Sequence, residues 1–265
     1  MSVPLVMGIV NVTPDSFSDG GRYFEPSSAY ARARKLHRLG TDIIDLGAMS
    51  TGPGSEPITS GEELGRLRPV LELLADERGI TLSVDTIFPE TADVAAWYGV
   101  KIVNDVSGVL SEEMAQVVVK RGLTWVVTHN PLHTASAAAE FEEGVTADIR
   151  AFFARAAAFC AERGIPAEKL IFDPGFGFSK NKEQNMTVLK NLDSIKPGNG
   201  KLLIGLSRKR FLDFDGKCPS ASRREARTLC ANLYAAAHGA DILRVHDAEA
   251  TLRALELGRE LQWTL

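Results

Sequence analysis

The chain has 265 residues, of which 45% are hydrophobic and 24% are charged, and its formal net charge is −4. This length and this ordinary globular balance predict one domain with a sizeable core, spanning residues 1–265. The slightly acidic balance argues against a nucleic-acid partner, because proteins that bind a duplex carry a basic stripe. The only dense basic cluster, Arg208, Lys209 and Arg210, suits a small anionic ligand better than a long polyanion.

Cysteine usage and hydropathy indicate where the protein resides. Cys160, Cys218 and Cys230 are scattered and form neither a disulfide framework nor a CxxC metal motif. They indicate a reducing compartment, so we expect a cytoplasmic protein. No apolar run approaches the ~20 residues that a membrane span needs. Residues 3–12 are apolar but lack the basic start of a signal peptide, so we interpret them as a buried strand and expect no membrane partner.

Two patterns alternate along the chain. Short apolar runs rich in β-branched residues predict buried parallel strands. The longer segments between them have helical spacing and are rich in Ala, Leu, Glu and Arg. The predicted strands are residues 5–12, 42–46, 81–84, 101–103, 124–128, 170–172, 202–206 and 242–245. The clearest predicted helices are residues 28–39, 62–77, 148–163, 223–238 and 248–261.

Local signals mark the ends of these helices. Thr59 and Glu62 have the spacing of an N-terminal capping box. A glycine follows several helical segments at the position where a left-handed C-cap forms. These glycines are Gly40, Gly99, Gly122, Gly164 and Gly239. These capping signals therefore predict the helix boundaries independently of the hydrophobic pattern.

The count of elements predicts the fold class. Eight strands, seven intervening helices and a final helix, with no Gly/Ser linker between them, are typical of an α/β protein that folds as a single-domain (β/α)8 TIM barrel. The alternative is a doubly wound open sheet, which usually has fewer strands and a glycine-rich phosphate-binding fingerprint. Because no GxGxxG motif follows the first strand and no Walker A loop is present, we favour the barrel.

Nearly every predicted strand ends on a polar or charged residue. In a barrel, all eight of these ends open on the same face, where active sites lie. We therefore expect the strand-end residues to form one functional site. They are Asn11, Asp45, Gly47, Asp85, Asn104, His129, Asp173, Ser207, Arg208, Lys209, Arg244 and His246.

Two chemistries are present among these strand ends. Asp85 and Asp173 supply carboxylates and Asn104 supplies an amide, a set that suits a flat heterocycle with several N–H donors. Lys209, Arg244 and His246 form a second set that we expect to be cationic and to lie near Asn11. Lysine and arginine bind phosphate oxygens through charge-assisted hydrogen bonds. We call the face on which the strand ends open the mouth of the barrel. The mouth thus combines a site for a donor-rich ring with a site for phosphate.

The motifs around these residues resemble those of the dihydropteroate synthase family along nearly the whole chain. The segment MGIVNVTPDSFSDGG at residues 7–21 matches the first family signature almost letter for letter. Residues 41–54 resemble the second signature. The motifs SVDT, NDVSG, DPGFGF, SRK and RVHD follow in the family order at residues 83–86, 104–108, 173–178, 207–209 and 244–247.

The resemblance implies both a reaction and its cofactor. Family enzymes join 6-hydroxymethyl-7,8-dihydropterin pyrophosphate to p-aminobenzoate, giving 7,8-dihydropteroate and pyrophosphate for folate biosynthesis. The implied cofactor is Mg²⁺, and the implied assembly is a homodimer that binds only small-molecule substrates. No covalent nucleophile is implied. The catalytic residues implied by analogy are Asp85, Asp173, Lys209, Arg244 and His246.

The resemblance also divides the mouth into three subsites. The pterin is assigned to Asp85, Asn104, Val106, Thr128, Asp173, Phe178, Gly205 and Lys209. The pyrophosphate is assigned to Asn11, Arg244 and His246, with the metal at Asn11. The p-aminobenzoate is assigned to Phe17, Thr51, Pro53, Phe178, Ser207 and Lys209.

Three positions depart from the family pattern. The second signature usually reads GGESTRPG, whereas residues 47–54 read GAMSTGPG, so Met49 replaces a glutamate and Gly52 replaces an arginine. That arginine belongs to a loop that closes over the second substrate, and glycine makes such a loop more flexible. Thr128 replaces a methionine expected to pack on the pterin. Either another cation such as Arg22 substitutes, or the enzyme is slow, altered in its second substrate or insensitive to sulfonamides.

Two alternative functions remain open at this point. A methyl transferase that uses methyltetrahydrofolate is built on the same pterin-binding barrel, but it has no need of a pyrophosphate site. A non-catalytic pterin-binding protein would keep the pocket and lack loop closure. We expect the loops at residues 13–24 and 49–58 to act as lids that keep water away from the reaction, which the second alternative would lack.

Overall fold

The computed structural model describes residues 3–13, 26–49, 57–198 and 200–261. Within these residues, eight parallel strands form a closed barrel in chain order, and the last strand pairs with the first. The predicted barrel is therefore confirmed, and the open sheet is excluded. The strands are β1 (Leu5–Asn11), β2 (Ile43–Gly47), β3 (Leu82–Asp85), β4 (Ile102–Asp105), β5 (Thr124–Thr128), β6 (Leu170–Asp173), β7 (Lys201–Ile204) and β8 (Ile242–Val245).

Helices connect successive strands and pack around the barrel. The sequence predicted one helix per connection, but the connection from β6 to β7 contains two, because Asn191 interrupts the helical run. None of the described helices is long and apolar enough to cross a membrane. The helices are α1 (Pro26–Arg38), α2 (Ser60–Leu74), α3 (Pro89–Trp97), α4 (Glu112–Arg121), α5 (Val145–Glu162), α6 (Lys182–Lys190), α7 (Leu192–Ile195), α8 (Glu225–Ala237) and α9 (Ala248–Glu260).

The predicted helix ends are present. The side chain of Thr59 accepts a hydrogen bond from the Glu62 amide, and the Glu62 carboxylate accepts one from the Thr59 amide at 2.8 Å. Gly122, for example, caps α4 with a φ of 64°, and its amide bonds the last turn of the helix. The other four predicted glycine caps also have positive φ. Both signals stabilise helix termini by satisfying backbone groups that the helix itself leaves unpaired.

The inside of the barrel is built in two layers. We call the first the lower layer: seven apolar side chains that pack against one another, one from each strand except β3. They are Met7, Ile43, Ile102, Val126, Ile171, Leu203 and Ile242. Because side chains alternate between the two faces of a strand, the residue two positions later on each strand also points inward. The upper layer formed in this way is largely polar. It consists of Asp45, Asn104, Thr128, Asp173 and Arg244 with Ile9 and Gly205, and Asp85 of β3 lies beside Asn104 in the same layer.

A second and larger apolar core fills the space between the barrel and the helices. It includes Trp125 on β5 and Phe172 on β6, whose side chains point outward. The strand register places Asn11 beside Gly47, Gly47 beside Asp85, and Asp85 beside Asn104. Four strand ends are thus fixed in one row at the carboxyl end of the barrel, where the candidate site lies.

Candidate active site

Arg244 lies across the barrel interior from β8 and contacts two carboxylates. Its Nε donates to Oδ2 of Asp45 at 2.7 Å, and its Nη2 donates to Oδ2 of Asp85 at 2.6 Å. The same oxygen of Asp45 accepts a hydrogen bond from Nδ2 of Asn104 at 3.2 Å. The sequence grouped Arg244 only with other cations. The structure places it among the acceptors instead, because its side chain points inward at the level of the upper layer.

Burial sets the ionisation of this group. It raises the pKa of Asp85, although the neighbouring Arg244 charge opposes the shift. Burial alone would lower the pKa of Arg244, but the charges of Asp45 and Asp85 outweigh it and raise that pKa. The guanidinium therefore stays positive at every working pH, and its orientation is fixed by two strands.

Asp173 and Lys209 form the opposite side of the site. Oδ1 of Asp173 accepts a hydrogen bond from the Gly175 amide at 2.7 Å. The Lys209 ammonium donates to the carbonyl of Phe176 and lies 4.9 Å from the centre of the Phe178 ring. Burial lowers the pKa of Lys209 to about 8, against the opposing charge of Asp173. Lys209 is thus still mostly protonated at neutral pH, beside the aromatic face of Phe178, and loses its charge as the pH rises through about 8.

The loop after β6 needs two glycines to make this arrangement. A Cβ added at Gly175 would overlap the carbonyl oxygen of His129, and Gly177 has a φ of 77° and lies against the Lys209 side chain. Lys180 holds the same loop in place. Its ammonium donates to the carbonyls of His129, Gly175 and Phe178 at 3.0, 3.1 and 3.2 Å. The three donors of Lys180 are therefore used to hold the end of β5 and the loop that carries Phe178 together.

His246 and Ser207 lie at the ends of β8 and β7. Nδ1 of His246 is 2.8 Å from the hydroxyl of Ser207, and the His246 carbonyl accepts a hydrogen bond from Arg32 at 2.8 Å. Burial and then the nearby charges of Arg208 and Arg244 lower the pKa of His246 well below 6.5. The sequence placed His246 in a cationic set with Lys209 and Arg244, and in the structure its burial among cations favours the neutral imidazole.

Asn11 faces the same space at the end of β1. A Cβ added at Gly47 would lie 3.8 Å from both Oδ1 of Asn11 and Oδ2 of Asp85, so the absence of a side chain at Gly47 leaves room between them. No cluster of three or more acidic, histidine or cysteine residues that could hold a metal occurs in the part of the chain that the structure describes. An amide oxygen is a suitable ligand for Mg²⁺, which commonly takes one or two protein oxygens and completes its shell with phosphate and water. The donor set therefore fits a metal shared with a phosphate ligand.

Three buried polar atoms of the upper layer have no hydrogen-bond partner among the described residues. They are Oδ1 of Asp45, Oδ1 of Asn104 and Oγ1 of Thr128. Buried polar groups without partners are costly, so native proteins keep few of them and each calls for an explanation. All three belong to one layer below the mouth, so the layer has the chemistry of a site for a polar ligand.

The remaining predicted residues lie in different positions. A Cβ added at Gly205 would lie 4.0 Å from Oδ2 of Asp173, so Gly205 borders the upper layer. Val106 is buried after β4, and its carbonyl accepts from the Asn130 side chain at 3.0 Å. The predicted p-aminobenzoate residues Phe17, Thr51 and Pro53 lie outside the described residues, as do Arg22 and Gly52.

Two residues of the site were not singled out from the sequence. Asp45 was noted as a strand-end residue and was given no role. Side chains two positions apart on a strand lie on the same face, so Asp45 shares the face of Ile43. This alternation could have predicted that Asp45 points into the barrel. Lys180 gave no such signal, because its partners are backbone carbonyls that only the folded chain brings together.

Comparisons with known proteins agree with this geometry. Residues 7–246 match the family described as pterin binding enzyme. The dihydropteroate synthase of Escherichia coli (strain K12) is 37% identical over 260 residues, which cover 97% of this chain and 91% of that protein. The structure of Xanthomonas albilineans dihydropteroate synthase with 4-aminobenzoic acid has a TM-score of 0.91 and 36% identity, covering 99% of this chain and 94% of that one. The complex of the Xanthomonas albilineans enzyme with 7,8-dihydropteroate has a TM-score of 0.87 and 35% identity, with 99% and 95% coverage.

The chain is a closed barrel whose upper layer offers buried acceptors beside a fixed guanidinium, and its match to the pterin binding enzyme family runs from β1 to beyond β8, which places it in the class of pterin-binding barrels. Within that class, the chain belongs to the dihydropteroate synthase family, as the resemblance of its motifs predicted.

Proposed function

We propose that the chain is a working dihydropteroate synthase, which joins 6-hydroxymethyl-7,8-dihydropterin pyrophosphate to p-aminobenzoate and releases pyrophosphate. The observation that carries the proposal is the upper layer itself, in which buried acceptors stand beside the charged Arg244. The Xanthomonas albilineans relative, crystallised with 7,8-dihydropteroate, supports the choice of product. The proposal takes Met49, Gly52 and Thr128 as tolerated departures from the family pattern.

The acceptors of the upper layer bind the pterin. Asp85, Asn104 and Asp173 offer oxygens to the N–H donors of the ring, and donor-rich edges pair well with carboxylates. Phe178 and Lys209 border the ring, with Thr128, Val106 and Gly205 completing the pocket. When the carbon–oxygen bond to pyrophosphate breaks, the methylene carbon attached to the ring becomes electron-poor, and the pterin ring shares its positive charge. The carboxylates of Asp85 and Asp173 stabilise that positive charge, because they are fixed in place before the reaction starts.

Asn11, Arg244 and His246 bind the leaving pyrophosphate, which departs with the electron pair of the broken bond. Arg244 supplies a permanent charge, and His246 takes up a proton from solvent as the anion increases the negative charge beside it and returns that proton to solvent when pyrophosphate leaves. Asn11 would hold Mg²⁺ through its side-chain oxygen, and the chemistry that this ion would supply when bound is further neutralisation of the leaving group.

The amine of p-aminobenzoate then forms the new carbon–nitrogen bond and loses one proton. Among the described residues, Phe178, Ser207 and Lys209 are the ones we assign to this substrate. Ser207 is held by its hydrogen bond to His246, which we assign to the pyrophosphate, so in this proposal the two substrates meet between Ser207 and His246. Residues Phe17, Thr51 and Pro53, which lie outside the described residues, complete the subsite in this proposal.

We also propose a homodimer in the cytoplasm. Tyr234 on α8, Leu257 on α9 and Leu261 just beyond it are exposed apolar side chains on adjacent helices, which favours an interface there. The three cysteines are free thiols, as expected in a reducing compartment. Sedimentation equilibrium of the protein and of a Leu257→Lys variant tests the interface, and we expect a dimer that the variant converts to monomer.

The decisive assay measures two products in the presence of Mg²⁺, with and without p-aminobenzoate. We expect pyrophosphate release to depend on p-aminobenzoate and to match 7,8-dihydropteroate formation mole for mole. Tight pterin binding without release would overturn the proposal in favour of a non-catalytic pterin-binding protein. Release without the coupled product would show that the second substrate is a different amine or that the loops fail to exclude water.

A further inference from the structure

Asp45 is the least accessible charged residue of the upper layer. It is 0% exposed, whereas Asp85 is 8% exposed and Asp173 is 6% exposed. We infer that Asp45 is a positioning residue, which fixes the direction of the Arg244 guanidinium and the orientation of the Asn104 amide. It thereby determines which hydrogen-bonding edge of the ring the site binds. The inference rests on the proposed function, because the ring in question is the pterin.

The effect of Asp45 on Arg244 is geometric. Asp45 holds Nε and Asp85 holds Nη2 of the same planar group, at 2.7 and 2.6 Å. A planar guanidinium that is held at two nitrogens by two different strands cannot rotate, so the directions of its remaining N–H groups are set. Asp85 alone would leave the group free to pivot about one hydrogen bond.

The effect of Asp45 on Asn104 is a choice between donor and acceptor. An ionised carboxylate only accepts hydrogen bonds, so the Asn104 atom that faces Asp45 has to be Nδ2, and the distance is 3.2 Å. The other end of the amide is then Oδ1, which is buried without a partner among the described residues. Asp45 therefore forces Asn104 to present an acceptor, which selects a ring edge that donates hydrogen bonds.

Burial separates this role from direct contact with substrate. Asp85 and Asp173 retain a small exposed fraction at the mouth, but Asp45 is covered completely, so a ligand that enters the mouth meets its neighbours first. One oxygen, Oδ2, makes both of its hydrogen bonds. An asparagine at position 45 can place its own oxygen there and keep both bonds while losing the charge, and an alanine cannot.

A matched control exists at the opposite end of the barrel. Asp241, just before β8, also bonds one cation and one N–H group: Lys196 at 2.8 Å and the Leu202 amide at 2.7 Å. The Asp241→Ala variant therefore removes a carboxylate with two equivalent partners at a distance from the site. Equilibrium binding of 6-hydroxymethyl-7,8-dihydropterin and of inorganic pyrophosphate is measured for the parent, Asp45→Ala, Asp45→Asn and Asp241→Ala, alongside the thermal midpoint of each protein.

We expect Asp45→Ala to weaken dihydropterin binding at least tenfold, and Asp241→Ala to change it less than twofold even where both variants lower the thermal midpoint. Asp45→Asn should bind dihydropterin within threefold of the parent. It should also bind pyrophosphate at least threefold more tightly, because the charge that opposes the anion is gone. The Asn variant alone tests the inference if the Ala variant does not fold.

Two results would overturn the inference. One is dihydropterin binding by folded Asp45→Ala within twofold of the parent. The other is an Asp45→Asn variant that binds pyrophosphate more weakly than the parent does, or that binds dihydropterin as weakly as Asp45→Ala does. A parent that binds dihydropterin and makes no dihydropteroate would overturn the proposed synthase activity alone. A parent that does not bind dihydropterin would overturn both.

Discussion

The two layers inside the barrel are offset by only two positions along a strand, as Ile43 and Asp45 are on β2, yet they serve opposite purposes. In the lower layer, apolar side chains such as Ile43, Ile102 and Ile171 fill the interior and contact one another. In the upper layer, Asp45, Asn104 and Thr128 each leave a buried polar atom without a partner among the described residues. The lower layer stabilises the barrel, whereas the unpaired polar atoms of the upper layer lower its stability and are available to a ligand. Substitutions in the lower layer should therefore change the free energy of unfolding, and substitutions in the upper layer should change ligand binding and activity.

The largest effect is expected from Arg244→Lys in the upper layer. Lysine keeps the charge but cannot bond Asp45 and Asp85 at once as the guanidinium does. We expect kcat/KM to fall by roughly 10²–10³, the usual loss when one preorganised electrostatic contact is removed. Steady-state kinetics checks this, with Arg253→Lys as the control, because Arg253 is exposed and its ion pair among the described residues is with Glu249 on α9. A loss of less than fivefold would show that the orientation of Arg244 is unimportant.

The reverse effect is expected in the lower layer. Ile171→Ala removes buried methyl groups two residues before Asp173 and should cost about 2–5 kcal/mol of unfolding free energy. Because Ile171 lies below the site, kcat/KM at a temperature where the variant is folded should change by less than a factor of three. Urea unfolding and kinetics on the same preparation give both numbers. A drop in activity as large as that of Arg244→Lys would mean that the two layers are not separable.

The pH profile should reveal Lys209. Burial lowers the pKa of Lys209 to about 8, so its cationic form is lost as the pH rises through that value. We expect kcat/KM to fall above pH 8 by about tenfold per pH unit, as for one essential acid. Between pH 8 and the ordinary lysine pKa of 10.5, the unfolded chain binds more protons at this position than the folded one. The free energy of unfolding contributed by Lys209 therefore rises with pH in that window, and the loss of activity cannot come from unfolding through this group. A profile flat to pH 10 would contradict the assignment.

The smallest effect is expected from Thr128→Met, which restores the residue of the family pattern. Thr128 is 1% exposed and its hydroxyl has no partner in the described part of the chain. A methionine removes that buried hydroxyl and adds apolar contact with a ring, so dihydropterin binding should tighten by about threefold to tenfold. Calorimetry of the parent and the variant measures it. Weaker binding by the variant would show that the hydroxyl itself contacts the ligand.

The sequence predicted the barrel because its signals are local. Strand runs, the capping box at Thr59 and the C-cap at Gly122 each depend on neighbouring residues, and all three are confirmed. Strand ends were less well predicted. β7 ends at Ile204 and not at residue 206, because the chain turns at Leu206, whose carbonyl accepts a hydrogen bond from the Lys209 amide. The polar strand ends were found because a barrel brings all of them to one face.

The partners of those residues could not be read from the sequence. Arg244 and Asp45 are separated by 199 positions, and only closure of the barrel between β1 and β8 brings them together. The low pKa of His246 has a similar origin, since it depends on burial and on cations from other elements. Residue types and spacing therefore predict the set of side chains in the mouth, and the fold decides which of them pair and which remain available to a ligand.

The most direct test is a crystal structure of the protein with 7,8-dihydropteroate bound. We predict that the ring edge lies within hydrogen-bond distance of Asp85, Asn104 and Asp173, above an apolar lower layer that has not moved, with Asp45 still bonded to Arg244 and Asn104. A ring bound outside the barrel mouth, or one that leaves the acceptors of the upper layer without a contact, would contradict the assignment of this layer as the pterin site.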